Sequence, residues 1–183
     1  MVTIRHFTRE DAELLPKSLF PGLTASEASE MIGEWNTGVY NGRAFEMFAI
    51  LSEGKIIGYV SLYEHSRSVA SAGAEVMAEE RGKGAAESAL RCLMRYAAER
   101  NYKVILDQVR RENRASIRLH EKLGFESDGY VYRNQRDQEV VLYLKLLEEE
   151  SGRAEADHTA GSRGCRLAEP ELLPYNGRGG DGT

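Results

Sequence analysis

Apolar and polar residues alternate from Val2 to Phe7, with Val2, Ile4 and His6 on one side and Thr3, Arg5 and Phe7 on the other. This predicts an opening strand. Thr8 with Asp11, and Thr24 with Glu27, have the spacing of helix N-terminal caps. The second pair opens a predicted helix carrying Ala28, Met31, Ile32 and Trp35, which Asn36 and Gly38 end; Pro16 and Pro21 break up the stretch before it. Glu46–Leu51 and Ile56–Tyr63 read as strands turned by Ser52-Glu53-Gly54-Lys55, and a short strand is expected at Gly73–Ala78. From Ala86 onward the apolar residues Ala89, Leu90, Leu93, Met94 and Ala97 recur on one helical face, with Glu87, Arg91, Arg95 and Glu99 opposite. Val104-Ile105-Leu106 is apolar without alternation, as in a strand covered on both faces. A helix from about Asn113 to Leu123 is stopped by Gly124, and Phe125–Tyr132 and Val140–Leu147 are expected as the last strands.

The resulting order, β-α-α-β-β-β-α-β-α-β-β, indicates an α/β fold: a mixed sheet, antiparallel in its first half and partly parallel in its second, flanked by helices. Residues 1–147 make one domain on this reading. Residues 148–183 are rich in Gly, Glu, Arg and Ser and lack periodicity, so a flexible polar tail is expected; only Leu167, Leu172, Leu173 and Tyr175 offer apolar surface for docking.

The chain has 183 residues, 42% of them hydrophobic, and a formal net charge of -5. That balance argues against a nucleic-acid partner, which needs a basic face to neutralise phosphates. There is no apolar run of the ~20 residues a membrane span requires, nor a signal-peptide pattern at the start, so a cytoplasmic protein is expected. Cys92 and Cys165 have no Cys or His neighbours at metal-ligand spacing, so no metal and no disulfide are expected.

The chemistry concentrates at Glu79-Glu80-Arg81-Gly82-Lys83-Gly84-Ala85-Ala86, between a predicted strand and the strongest helix. A helix N-terminus presents unpaired N–H groups and partial positive charge. Glycines let the backbone approach a ligand, and Arg81 and Lys83 add charge, so the segment suits a phosphorylated cofactor. Gly82 and Gly84 would also serve a plain tight turn. The segment lacks the Gly-Lys-Ser/Thr ending of nucleotidase loops, and no Gly-x-Gly-x-x-Gly follows the first strand.

Arg81-x-x-Gly84-x-Ala86 resembles the pyrophosphate loop of the GCN5-related N-acetyltransferases (GNAT). Residues 112–125, which begin Glu-Asn-Arg and end Glu-Lys-Leu-Gly-Phe, are similar to a second motif of that family. The resemblance spans about residues 2–147. It implies the GNAT acyl-CoA fold, acetyl-CoA as co-substrate and direct attack of an amine on the thioester. By resemblance, backbone at Val76 and Ala78 pairs with the pantetheine arm. Gly82, Lys83, Gly84, Ala85 and Ala86 hold the pyrophosphate with Arg81, and Asn113 contacts the coenzyme, with Ser116 on the same helix face.

The family often has Tyr where His120 stands. His120 is the candidate acid for the departing thiolate, or else a packed helix histidine. Glu75 is the candidate base, or else a solvent-facing strand residue. Gln108 replaces a glutamate of the ribosomal-protein branch and cannot act as a base, and Asp107 is expected on the opposite face of the sheet from it. Trp35, Tyr40, Tyr63, Glu64, Tyr130 and Tyr132 are candidate substrate contacts. The leading reading is acetyl transfer to a small primary amine. The alternatives are a protein N-terminal or lysine acetyltransferase and a non-catalytic acyl-CoA sensor. Many relatives are dimers, so a homodimer is compatible with the resemblance.

Overall fold

A computed structural model of the chain describes residues 1–147 and 166–167. Strand β1 (Val2–His6) leads through a 3-10 turn (Arg9–Glu13) to the single-turn helix α1 (Leu15–Ser18) and to α2 (Ala25–Trp35). Then come β2 (Val39–Tyr40), β3 (Arg43–Ser52), β4 (Lys55–Ser66), β5 (Val69–Val76), a 3-10 turn (Ala78–Glu80) and α3 (Ala85–Glu99). β6 (Val104–Arg110), α4 (Arg114–Lys122), β7 (Val131–Arg133), β8 (Glu139–Leu146) and β9 (Arg166–Leu167) complete the described elements.

Local chemistry sets the helix starts as the spacing predicts. Thr24 Oγ1 accepts from Glu27 N at 3.2 Å, and Glu27 Oε2 accepts from Thr24 N at 2.7 Å, so two donors at the start of α2 are satisfied reciprocally. Asp11 Oδ2 accepts from Thr8 N at 2.7 Å, and the same carboxylate takes a two-pronged bond from Arg5 at 2.7 and 2.9 Å.

The described strands form one mixed sheet in the order β7-β8-β6-β5-β4-β3-β1-β9, with β2 beside β3. β1, β3, β4 and β5 are successively antiparallel, β5 and β6 are parallel, and β6, β8 and β7 are antiparallel. Because side chains alternate across a sheet, its two faces carry separate cores. On one, Leu90, Leu93 and Ala97 of α3 pack with Ile4, Phe48, Ile50, Val60 and Ile105, joined by Ile117 and Leu123. On the other, Ala28 and Ile32 of α2 pack with Phe7, Leu15, Met47 and Ala49.

Three expectations change. β5 starts four residues earlier than the pattern indicates and stops at Val76: Val69–Gly73 has weak strand propensity and is held by pairing with β4 on one side and β6 on the other. Ala78 sits in a 3-10 turn instead of a strand. Phe125–Tyr130 is not a strand; a single bridge, Glu126 to Leu144, links it to the sheet, and only Val131–Arg133 pairs regularly. Arg166–Leu167 adds parallel to β1. Cys165, Leu172, Leu173 and Tyr175 lie outside the described residues.

One close approach depends on a missing side chain. A Cβ on Gly58 would lie 2.2 Å from the Glu75 carbonyl oxygen and 3.0 Å from Val76 Cα, so glycine is what lets β4 lie against the end of β5.

Candidate active site

β5 and β6 pair only from Val69↔Val104 to Ser71↔Leu106. Past that point β5 continues along β4 to Val76, and β6 continues along β8 to Arg110. The two strands therefore part, and among the described residues the β5 edge over residues 72–76 has no strand partner on its β6 side. Such an edge offers unpaired N–H and C=O groups to an extended ligand. From the split to Val76 the edge spans five residues, roughly 17 Å.

At the open end lies the phosphate-loop candidate. Gly82 and Gly84 have φ of 76° and 80°, a conformation that favours glycine, and a Cβ on either would meet no atom within 4 Å. Gly84 is the N-cap of α3 and supplies no side-chain hydrogen bond, whereas Thr24 and Asn113 cap α2 and α4. The first turn of α3 thus presents its N–H groups outward, as an anion site requires. The two cations are partly engaged. Arg81 Nε donates to the Val76 carbonyl at 2.9 Å, and Lys83 Nζ lies 3.0 Å from Glu80. Ala78, expected to present extended backbone, instead turns and accepts from Arg81 N at 3.3 Å. The main chain of residues 82–86 is therefore the candidate anion-binding group, with the two side chains close by.

The opposite wall is β6 with α4. Asn113 Oδ1 accepts from Ser116 N at 3.1 Å, which leaves its amide NH2 as the donor. Ser116 gives its carbonyl to His120 Nδ1 at 2.8 Å, and its hydroxyl lies 3.4 Å from the same nitrogen. His120 Nε2 is 2.8 Å from Asp107 Oδ2. The ring is 2% exposed and packs edge-on to Phe125 and tilted against Tyr143. Burial works against its charged form, but the bond and charge of Asp107, with the Ser116 carbonyl, outweigh it and raise the His120 pKa above its ordinary value. With both nitrogens engaged inside the protein, His120 sits as a satisfied buried histidine rather than one opening directly onto the cleft. Asp107, on the α4 side of the sheet, is the member of the pair with more exposure, its side chain at 22%.

Glu75 stands near the loop end of β5. Its Oε2 accepts from the Tyr59 hydroxyl at 2.9 Å, and its Oε1 lies 4.0 Å from Arg81. Burial and then Glu75 itself push the Tyr59 phenol up to about 12, so it remains a donor. Of the substrate candidates, Tyr40 and Tyr63 meet and the others lie apart. Trp35, the last residue of α2, is half-buried and packs against Phe7 and Phe20. Glu64 accepts from Tyr102 at 3.0 Å and lies on the sheet face opposite Tyr63, because neighbours along a strand point to opposite sides. Tyr130 is 70% exposed in the loop before β7. Tyr132 lies on β7, and Tyr40 is exposed on β2. Tyr63 is in register with Ser71, and Ser71 with Leu106, so it stands level with the point where the strands part; its ring contacts Tyr40, Phe45 and His65.

Residues 2–126 match the acetyltransferase (GNAT) domain family. The chain belongs to the GNAT family. An L-methionine sulfoximine/L-methionine sulfone acetyltransferase of Pseudomonas paraeruginosa is 30% identical over 101 residues, covering 50% of this GNAT chain and 59% of the relative. The chain thus spans less than two thirds of that relative's length. A crystal structure of a probable acetyltransferase superposes with a TM-score of 0.69 at 25% identity, covering 79% of this chain and 92% of its own. Salmonella typhimurium yncA, whose structure contains acetyl-CoA as cofactor, shares the fold with a TM-score of 0.62 at 17% identity, covering 85% and 99%. Among the described residues of this family member, no three His, Cys, Asp or Glu side chains gather as a metal site, and no helix is long and apolar enough to cross a membrane.

Three residues that shape the candidate site were not singled out for it from the sequence: Gly58 and Tyr59, which meet β5 across strand pairs, and Asp107, which meets α4 from β6. The only local signal was the alternation that put Asp107 opposite Gln108.

Proposed function

We propose that the chain is an acetyl-CoA-dependent N-acetyltransferase for a small primary amine. The observation that carries this reading is the parting of β5 and β6 beside an uncapped α3 N-terminus. An extended arm would pair with the β5 edge, and its pyrophosphate would meet the N–H groups of residues 82–86, with Arg81 and Lys83 supporting. Acetyl-CoA, as substrate, supplies an activated acetyl thioester at the narrow end of the cleft. The Asn113 amide donates to the coenzyme from the α4 wall.

The acceptor must lose a proton to become nucleophilic, and Glu75, four residues along β5 from the last β5–β6 pair, is the proposed group to take it through intervening water. Tyr59 orients one carboxylate oxygen, and the other lies 4.0 Å from Arg81. Amine nitrogen then bonds to the acetyl carbon as the C–S bond breaks. The thiol has an ordinary pKa near 8.5, so at neutral pH the departing sulfur is readily protonated. The likeness to a methionine sulfoximine acetyltransferase supports an amino-acid-like amine. Tyr63 is the proposed residue beside it.

Isothermal titration with acetyl-CoA, followed by thiol release over a panel of amino-acid-like amines, tests this. Micromolar binding with thiol release is expected. Binding without release on any amine would move the protein to the sensor class. For Glu75→Gln, turnover should fall by about 10²-fold or more with acetyl-CoA affinity unchanged; unaltered turnover would remove Glu75 from the mechanism.

A further inference from the structure

We propose that Asp107 is a positioning residue of the coenzyme cleft, fastening α4 to β6 through His120 where β5 and β6 part, and that this fastening depends on a proton shared by the pair. The inference rests on the reading that the coenzyme lies between β5 and β6.

The hydrogen-bond chain starts on β6. Asp107 is the first β6 residue past the last β5–β6 pair. Its Oδ2 meets His120 Nε2 at 2.8 Å, His120 Nδ1 meets the Ser116 carbonyl at 2.8 Å, and Ser116 N meets Asn113 Oδ1 at 3.1 Å. Three successive bonds therefore run from the split in the sheet to Asn113, the α4 residue proposed to touch the coenzyme.

The proton follows from donor and acceptor counting. A backbone carbonyl can only accept, so Nδ1 must carry hydrogen. A neutral ring of that tautomer would turn the Nε2 lone pair towards the Asp107 carboxylate, acceptor against acceptor. In a buried site that arrangement is costly. One further proton therefore belongs to the pair, as imidazolium with carboxylate or as imidazole with carboxylic acid. Losing it leaves acceptors opposed across this polar link between α4 and the split. Other titratable groups near the pair are the phenols of Tyr143 on β8 and Tyr132 on β7. Lys145, 3.5 Å from the Gly124 carbonyl, and Lys122, paired with Glu87, lie at the far end of α4. Among the described titratable side chains, it is Asp107 that bonds to the ring.

Two variants separate proton from geometry. In Asp107→Asn the amide NH2 can donate to Nε2 of a neutral ring, restoring the link with no extra proton. In Asp107→Ala the link is gone. Acetyl-CoA affinity is measured by titration from about pH 7 upward, above the phosphate titration near pH 6. The His120 ring state is read from its nitrogen chemical shifts, without coenzyme. Wild-type affinity should fall as pH rises past the point where the ring shifts report loss of the proton. Asp107→Asn should bind like wild type near pH 7 and lose that pH dependence, with a neutral ring. Asp107→Ala should bind about tenfold more weakly, as expected for one lost bond to a charged group. If Asp107→Ala does not fold, Asp107→Asn carries the test.

Wild-type affinity in Asp107→Ala, a wild-type pH profile in Asp107→Asn, or a neutral His120–carboxylate pair in the wild type near pH 7 would overturn the inference. Absence of acetyl-CoA binding by the wild type at every pH would instead overturn the coenzyme reading, and the inference with it.

Discussion

At the scale of single residues, two glycines act for different reasons. Gly84 holds a left-handed φ of 80° at the head of α3, with open space where a side chain would stand. In Gly84→Asp a carboxylate would occupy the space assigned to the pyrophosphate. Acetyl-CoA affinity should fall by more than about tenfold, since like charges oppose at close range; unchanged affinity would sink the loop assignment. Gly58 is different, because its neighbours leave no room. Gly58→Ala must push the Glu75 carbonyl away from a 2.2 Å contact, and overpacking of this kind costs about 1–3 kcal/mol or more. A clear drop in melting temperature should accompany loss of coenzyme binding, because the displaced residues lead directly into the loop. A stable Gly58→Ala variant with normal binding would mean that β4 and β5 can separate freely. Gly84 was legible because it belongs to a local motif. Gly58 was not, because its constraint comes from a residue 17 positions away.

At the scale of elements, α3 read most clearly: its apolar face recurs over the whole helix, and all five of its named core positions are buried. The end of β5 read least clearly, because small residues carry little strand signal and pairing decides. α3 is also tied to β1 and β3 by a polar cluster. Glu46 accepts from His6 at 2.9 Å and from the Tyr96 hydroxyl, while Arg100 lies 3.5 Å from Glu46 and over the Tyr96 ring at 3.7 Å. Burial alone would raise the Glu46 pKa, but His6, Tyr96 and Arg100 together hold it below the ordinary carboxylate value. A lowered folded-state pKa stabilises fully above the unfolded value, near 4.3, and that stability is lost as pH falls through the folded one. Urea denaturation across acidic pH should therefore show wild-type stability falling more steeply than that of Glu46→Gln. Parallel slopes would show that the cluster does not govern acid sensitivity.

At the scale of the molecule, the element order and the mixed sheet were legible, and so were the loop and the start of α4. What the sequence concealed is where elements meet: that Trp35 packs against Phe7 and Phe20, that Glu64 turns to Tyr102, and that His120 is buried against Asp107. Each is set by partners 13 to 38 residues apart, beyond the range of any periodic pattern.

The parted β5 edge has a consequence for how such a protein can change. If the coenzyme is gripped by peptide groups, the identity of the side chains along residues 72–76 is largely released from that duty. Mutation there can reshape the acceptor pocket without altering the handle by which the acetyl donor is held. A lineage built on this scaffold can exchange one amine for another while its energy-rich partner stays the same, and overall similarity to a relative is correspondingly a weak guide to which amine is taken.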